Sequence, residues 1–202
     1  MARGRFQQQQ WEQRAEAIVE ALERLCAARG FGAVTMDALA DDVGISKATL
    51  YQHFDSKDAL LAEMMKRHLD RFLAALAGTA DQPPVERLCA AVRVLMDGHL
   101  SPLQGLVIVG RDEALPVFYN TPVLVEKHEQ TLAALTAIIE QGQAEGSITS
   151  DLDAFTIISA MLALSGVSVE TGSGLVFRPV STTLPDTANQ IVKFFERAIR
   201  SY

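Results

Sequence analysis

Residues 36–54 read MDALADDVGISKATLYQHF, and this stretch decides the fold of the N-terminal part of the chain. Leu39 and Val43 are four residues apart, which places both on one face of a helix. Gly44 follows where that helix must end, because glycine adopts left-handed backbone angles without a steric penalty. Ser46 then supplies a side-chain oxygen that can cap a second helix. The pattern predicts a helix-turn-helix unit, whose second helix enters the major groove of DNA.

The second helix of this unit is the predicted DNA-reading element. Lys47 opens it, where a cation and free backbone N–H groups together receive a phosphate, and its ammonium also suits guanine O6 and N7. The Ala48 methyl suits contact with a thymine methyl. The predicted DNA-binding residues are Thr35, Ser46, Lys47, Ala48, Thr49, Tyr51, His53 and Lys57. Alternatives without a DNA contact stay open: Thr35 as a helix cap only, Lys47 and Lys57 as solvated lysines, and Tyr51 packed on Phe54.

The same stretch resembles the tetracycline-repressor (TetR) family, together with Gly30-Phe31 and Thr35-Met36 before it and DSKDAL at residues 55–60 after it. The resemblance implies an all-helical homodimeric transcription regulator with an N-terminal DNA-binding domain and a C-terminal ligand-binding domain. It also places Tyr51 and His53 at the DNA surface. Beyond the first third of the chain only length and helical character match, so the resemblance does not identify the effector.

Composition favours an all-α protein. Of the 202 residues, 49% are hydrophobic and only 6% aromatic, and the formal net charge is −7. An acidic chain still binds DNA if its cations lie on the docking face, because the local field counts more than the total charge. Lys47 and Lys57 open successive helices, and Arg3 and Arg5 are expected to form a mobile basic arm.

The two cysteines and the hydropathy pattern indicate the compartment. Cys26 and Cys89 lie in apolar helical patterns without metal-ligand spacing, so we expect two buried free thiols in a reducing cytoplasm. The N-terminal residues lack the apolar core of a secretory signal. The longest uncharged run, 154–169, is short for a membrane span. The sequence therefore predicts a cytoplasmic protein with no membrane partner.

Helical periodicity continues along the whole chain and predicts about nine helices, three of them in a DNA-binding domain of residues 1–56. Residues 57–202 form the predicted ligand-binding and dimerisation domain. Helix one is expected from about Gln9 to Arg29, and Asp55 or Ser56 caps the fourth helix. The apolar stripe of that fourth helix is Leu61, Met65, His68, Phe72 and Leu76. Asp151 is expected to cap the penultimate helix, which runs to about Val169, and the final helix covers about 185–200.

An apolar pocket between helices of the larger domain is the predicted effector site. Its candidate lining residues are Met96, His99, Leu103, Phe118, Tyr119, His128, Phe155 and Met161. The same side chains also suit an ordinary core, and that alternative stays open for His99 and His128 in particular. No HxxxH or paired-carboxylate spacing is present, so we predict neither a metal site nor a cofactor.

The last two helices are the predicted dimer contact. Small residues on one face of the penultimate helix would allow two helices to approach closely, and the last helix offers an apolar stripe. The predicted interface residues are Ser159, Ala163, Gly166, Ile191, Phe195 and Ile199. Packed across a two-fold axis, these helices would make a four-helix contact in a homodimer.

These observations predict a ligand-responsive DNA-binding transcriptional regulator. The family resemblance favours a repressor that leaves a palindromic operator when a small, mostly apolar effector binds. The chain contains no nucleophile elbow, phosphate-binding glycine loop or spaced carboxylate pair, so we predict no enzymatic activity. Two alternatives stay open: a helical small-molecule-binding protein or enzyme that does not act through DNA, and a DNA-binding protein without an effector.

Overall fold

The computed structural model describes residues 2–96, 111–165 and 184–201. The fold within these ranges is all-α, as predicted, with nine helices and no β-strand. The helices are α1 (Ala2–Arg29), α2 (Met36–Val43), α3 (Lys47–His53), α4 (Lys57–Ala77), α5 (Pro84–Met96), α6 (Arg111–Tyr119), α7 (Pro122–Ala144), α8 (Ala154–Ser165) and α9 (Leu184–Ile199).

Helix α1 begins seven residues earlier than predicted and ends where predicted. Gly30 follows it with φ +77°, a left-handed conformation that glycine adopts without a Cβ clash. The run of four glutamines at residues 7–10 contains no helix breaker, so the helix continues through it to Ala2. Arg5 therefore belongs to a helix and is exposed on it, which corrects the expectation of a mobile basic arm at this residue.

Helix α4 confirms both its predicted cap and its predicted stripe. The Ser56 Oγ accepts a hydrogen bond from the Ala59 N–H at 3.0 Å, so Ser56 caps the helix. The five stripe residues are all buried, at 5% exposure or less: Leu61, Met65, His68, Phe72 and Leu76.

Helix α8 begins at a different cap from the one predicted. The Asp153 carboxylate, not that of Asp151, accepts the Thr156 N–H, at 2.6 Å. The reason lies in the preceding turn, where the Gln143 side-chain amide donates to the carbonyls of Thr149 and Leu152. These bonds hold 149–152 in a turn and move the helix start two residues along the chain. The predicted end at Val169 lies outside the described residues.

The chain divides into two compact units. The first comprises residues 1–67 and 105–124, and the second comprises 68–104 and 125–202. The division falls inside α4, whereas the sequence pattern puts the domain boundary before that helix, between residues 56 and 57.

The second unit has a continuous apolar core. Helices α4, α5, α7, α8 and α9 contribute fully buried side chains that include Phe72, Leu88 and Phe195. Gly142 allows α7 to approach its neighbours, because a Cβ there would lie 2.5 Å from Ile148 Cδ1 and 3.0 Å from Pro84 Cβ. The Thr149 N–H donates to the Ile199 carbonyl at 2.8 Å, which ties the α7–α8 turn to the end of α9.

Both cysteines are free thiols, as predicted. Cys26 is buried and Cys89 is half-buried. Burial raises the pKa of each thiol to about 11, because the charged thiolate is disfavoured away from water. None of the helices in the described ranges is both long and apolar enough to cross a membrane.

Candidate nucleic-acid interface

The turn between α2 and α3 has the backbone that the sequence predicts. The Thr35 Oγ1 caps α2 by accepting the Ala38 N–H at 3.1 Å. Gly44 adopts φ 74° and ψ 35°, and its N–H donates to the Asp41 carbonyl at 3.2 Å. The Ile45 N–H then bonds the Ala40 carbonyl at 3.0 Å, which closes the helix end. The turn is therefore fixed by local bonds alone.

Helix α3 starts at a double hydroxyl contact. The Ser46 Oγ accepts the Thr49 N–H at 3.0 Å and lies 2.8 Å from the Thr49 Oγ1. Leu50 is fully buried, and Ile45 and Phe54 are half-buried on the same side. Ser46 and Thr49 therefore bind each other in the free protein. Leu50 anchors the helix within the head, which is our name for helices α1 to α3 and the start of α4.

The opposite side of α3 is open to solvent. Lys47, Ala48, Tyr51 and Gln52 are all exposed, and their spacing of one and four residues puts them on one face of the helix. We call these four residues the recognition face. Among the other predicted DNA-binding residues, Thr35 and Ser46 are exposed beside this face and Thr49 is half-buried. Their contacts with DNA stay a prediction.

Lys47 is held by an acid from the neighbouring helix. Its Nζ lies 2.7 Å from Asp37 Oδ1 and 3.0 Å from Asp37 Oδ2. Both side chains are exposed, at 54% for Lys47 and 64% for Asp37. The hydrogen bond that Lys47 donates to Asp37, and then the charge of Asp37, raise the pKa of the Lys47 ammonium above its usual value. Lys47 is thus fully charged at neutral pH.

Lys57 has a different position from the open phosphate ligand that the sequence suggests. Its Nζ donates to the Phe31 carbonyl and lies 3.9 Å from the centre of the Phe31 ring. The side chain is half-buried. A cation over an aromatic ring and a hydrogen bond to a carbonyl tie the start of α4 to the loop before α2. Lys57 therefore stabilises the head, and only its remaining N–H donors are left for a phosphate.

His53 is placed contrary to prediction. Its imidazole stacks on Trp11 of α1, with ring centres 3.6 Å apart and planes inclined by 25°. Both ring nitrogens are buried and have no hydrogen-bond partner within the described part of the chain. Burial lowers the pKa of this imidazole, and the charge of Arg14 lowers it further. The prediction that His53 offers a donor to a phosphate is therefore wrong for this arrangement.

Trp11 is the residue of this site that the sequence analysis missed. It lies seven residues, about two helical turns, before the buried Ile18, and its side chain is 42% exposed. The spacing of Trp11 and Ile18 is visible in the sequence, but no sequence pattern links position 11 with position 53.

The predicted effector-pocket residues that the structure describes differ in their burial. Met161 is fully buried, and Met96, Phe118 and His128 are half-buried. Tyr119 and Phe155 are 69% and 78% exposed, so they do not line a pocket in this structure. Burial lowers the pKa of His128. His99 and Leu103 lie outside the described residues.

A small cleft lies within the first unit. It measures about 180 Å³ and none of the predicted pocket residues lines it. Its lining residues are Asp58, Ala59, Ala62, Pro116, Val117, Asn120 and Thr121. Across the described ranges, no three His, Cys, Asp or Glu side chains come together to hold a metal ion.

The predicted dimer residues divide into outward and inward sets. Ser159 and Ala163 are exposed on α8 as expected, and Ile191 is half-buried. Phe195 and Ile199 are only 1% and 2% exposed, so assigning them to a dimer contact is wrong: they fill the core of their own unit. Gly166 lies outside the described residues.

Two other aromatic side chains point outward on the same pair of helices. Phe194 of α9 is 63% exposed, and Phe155 of α8 is 78% exposed. Phe194 precedes the buried Phe195 directly, and adjacent residues of a helix point about 100° apart. A stripe drawn through Phe195 therefore misses Phe194.

Comparison with known proteins agrees with this geometry. Residues 18–64 match the family of bacterial regulatory proteins called tetR. The transcriptional activator FasR from Mycolicibacterium smegmatis is 39% identical over 90 residues, which span 43% of this chain and 40% of FasR. The transcriptional repressor KstR2 from Mycobacterium tuberculosis is 27% identical over 160 residues, 75% of this chain and 78% of KstR2.

Solved structures share the fold over nearly the whole chain. The ketosteroid transcriptional regulator KstR2 of Mycobacterium tuberculosis superposes with a TM-score of 0.72 at 23% identity, covering 94% of this chain and 96% of KstR2. AibR, in complex with isovaleryl coenzyme A and operator DNA, gives a TM-score of 0.62 at 21% identity, covering 90% and 97%. The fold and the recognition face define a helix-turn-helix transcriptional regulator. Residues 18–64 are similar to the DNA-binding segment of the TetR family.

The Trp11–His53 stack makes the stability of the head depend on pH. Because the folded head lowers the pKa of His53, the unfolded chain binds more protons near pH 6, and the free energy of unfolding falls as pH drops below about 6.5. The fall ends once the pH passes the lowered pKa. His53→Phe keeps a stacking ring but removes this titration, so it should lose less stability than wild type between pH 7.5 and 5.5.

Urea unfolding followed by the fluorescence of Trp11, the single tryptophan of the chain, measures this difference directly in the head. Gln130→Ala, which removes an exposed side chain and no titrating group, serves as the control and should keep the pH dependence of wild type. Equal pH dependence in wild type and His53→Phe would contradict the assignment.

Proposed function

We propose that this regulator is a dimeric repressor that binds a near-palindromic operator and leaves it when a small, mostly apolar effector binds. The recognition face on α3 carries the proposal, because four exposed side chains are presented by a helix whose start and turn are rigidly capped. We assign the chain no catalytic reaction and expect it to act in the cytoplasm, on DNA.

The recognition face supports contact with the major groove. Lys47 and Tyr51 offer donors to phosphates or base edges, and the small Ala48 lets the helix approach a thymine methyl. A two-fold dimer would present two such helices about 34–36 Å apart, one turn of the duplex. An operator with two inverted half-sites matches that symmetry.

The outward residues of α8 and α9 support the dimer. Phe155 and Phe194 are large exposed apolar side chains on the last two described helices, and Ser159 and Ala163 add small exposed residues to α8. Exposed aromatic side chains of this kind are typical anchors of protein interfaces. We therefore move the proposed contact from Phe195 and Ile199 to Phe155 and Phe194.

Two relatives are associated with ligands that contain an apolar part, and in AibR that part is joined to the polar, charged coenzyme A. KstR2 is named as a ketosteroid regulator, and AibR binds isovaleryl coenzyme A together with operator DNA. FasR is an activator and KstR2 a repressor, so repression remains part of the proposal for this chain. His128 is half-buried with a lowered pKa, which makes it a neutral hydrogen-bonding group at pH 7 on α7. An effector releases DNA only if it binds the two conformations with different affinity.

Removing a recognition-face side chain should weaken operator binding without unfolding the head. Lys47→Ala and Tyr51→Ala should each cost about 1–3 kcal/mol of binding free energy, roughly 5- to 150-fold in affinity. Fluorescence anisotropy with duplexes from the regulator's own promoter region measures the loss. Lys193→Ala, which removes an exposed lysine of α9, is the matched control and should bind as wild type. If no promoter fragment binds more tightly than random DNA, the operator proposal fails.

Charging the outward aromatic of α9 should separate the dimer. Phe194→Asp should sediment as a folded monomer at micromolar concentration, because it places a carboxylate in an apolar contact. Its operator affinity should fall at least about tenfold, since the two half-sites no longer bind as one unit. Phe6→Asp, at a similarly exposed phenylalanine of α1, is the control and should remain dimeric. Analytical ultracentrifugation decides; a dimeric Phe194→Asp would place the contact elsewhere.

Removing the proposed polar group of the effector site should impair release while leaving DNA binding intact. His128→Ala should raise the effector concentration needed for half-release of operator at least about tenfold, with operator affinity within about twofold of wild type. Isovaleryl coenzyme A and a panel of ketosteroids are the first effectors to assay by anisotropy. Gln130→Ala, exposed on the same helix, is the control. A normal response of His128→Ala to an active compound would assign His128 to the core.

A further inference from the structure

The cation of the recognition face is already bound to an anion of the protein. Asp37 is the second residue of α2 and Lys47 is the first residue of α3, and their charged groups meet at 2.7 Å and 3.0 Å. The pair therefore spans the N-terminal turns of both helices of the helix-turn-helix unit. Nothing in the apolar packing of the head requires this contact, because both side chains are largely exposed.

The Asp37 carboxylate occupies the Lys47 ammonium that a DNA phosphate would contact in the proposed complex. Asp37 supplies a negative charge at this position in the absence of DNA. A phosphate that approaches Lys47 must therefore replace one anion by another, and it meets the charge of Asp37 while doing so.

We propose that Asp37 is a specificity-determining residue. Its carboxylate binds the Lys47 ammonium and keeps it from DNA phosphates, whatever the sequence, and Lys47 leaves Asp37 only to bond a base edge of the correct operator. This inference rests on the proposed DNA-binding function. An exposed ion pair is a weak contact, comparable to one phosphate contact in solution, so the exchange of Asp37 for a phosphate gains little. A lysine that bonds both guanine O6 and N7 makes a stronger contact, and only that contact outweighs the pair.

The consequence is visible in the salt dependence of binding to DNA of unrelated sequence. Each phosphate that a protein cation neutralises releases counterions, and the slope of log K against log salt changes by about 0.9 for each one. With Lys47 held by Asp37, wild type lacks one such contact. Asp37→Asn frees the ammonium and should steepen the slope by about 0.9 on a non-operator duplex. At about 0.1 M salt the affinity for that duplex should rise about 5- to 10-fold.

Operator binding should change less, because Lys47 has already left Asp37 in that complex. The ratio of operator to non-operator affinity should therefore fall about 5-fold in Asp37→Asn. Asp37→Glu keeps the charge and should behave as wild type. In the double variant Asp37→Asn with Lys47→Ala, the slope on non-operator DNA should return to the wild-type value, because the freed cation is gone.

Asp42→Asn is the matched control. Asp42 lies on the same helix, and its carboxylate pairs with Arg24 of α1 at 2.8 Å. The change in net charge is identical, so a general effect of charge would appear equally in both variants. Far-UV circular dichroism and the unfolding midpoint of each variant establish that the head is folded.

The outcomes separate cleanly. A steeper slope in Asp37→Asn alone, reversed by Lys47→Ala, supports the proposal. An unchanged slope in folded Asp37→Asn, or an equal change in Asp42→Asn, overturns it while leaving the proposed function intact if wild type still prefers its operator. A wild-type protein with no preference for any promoter fragment overturns the proposed function and this inference with it.

Discussion

The left-handed backbone of Gly44 fixes the direction in which α3 leaves α2, and the orientation of the recognition face depends on it. A residue with a Cβ at φ 74° would strain the turn by about 1 kcal/mol, and relaxing that strain would rotate α3. The bond from the Ile45 N–H to the Ala40 carbonyl holds the turn on the α2 side. The Ser46 cap holds it on the α3 side. A rotation of α3 by about 100°, the angle between adjacent residues of a helix, would bury Thr49 or Tyr51 in place of Leu50.

Several cations of the head are bound to groups of the protein itself. The Lys57 ammonium donates to the Phe31 carbonyl and lies over the Phe31 ring, so its main role is to stabilise the head. Arg24 pairs with Asp42, and Arg67 pairs with Glu63 and Glu16. In a chain with net charge −7, this pairing leaves little attraction for DNA in general. Discrimination between sequences must then come from a small number of contacts made by α3.

Local interactions explain which parts of the fold could be predicted from the sequence. The caps at Thr35, Ser46 and Ser56 are side-chain bonds to an N–H three residues on, so a short window of sequence contains both partners. The buried stripe of α4 follows from helical spacing alone. The similarity to the TetR family could be predicted for the same reason, because the matching helix-turn-helix is a continuous segment.

Contacts between distant residues could not be predicted in the same way. The stack of Trp11 on His53 joins positions 42 residues apart, and the Lys57–Phe31 contact joins positions 26 residues apart. Periodicity also fails on α8, where apolar residues occupy more than one face: Ile157 and Met161 are buried while Phe155 faces solvent. Which of two adjacent phenylalanines of α9 points inward depends on the neighbouring helices and not on the residue type.

The raised pKa of the two thiols gives the protein a chemical property that its cysteine content alone does not reveal. With a pKa of about 11, each thiol is ionised in only about one molecule in ten thousand at pH 7. Peroxides and maleimides react with the thiolate, so both native cysteines are slow to oxidise or label. A cysteine placed at an exposed position such as Ala48 would be ionised several hundred times more often, at about 3%. The two native cysteines therefore react little under conditions in which a single dye or spin probe is attached to a cysteine on the surface that reads DNA.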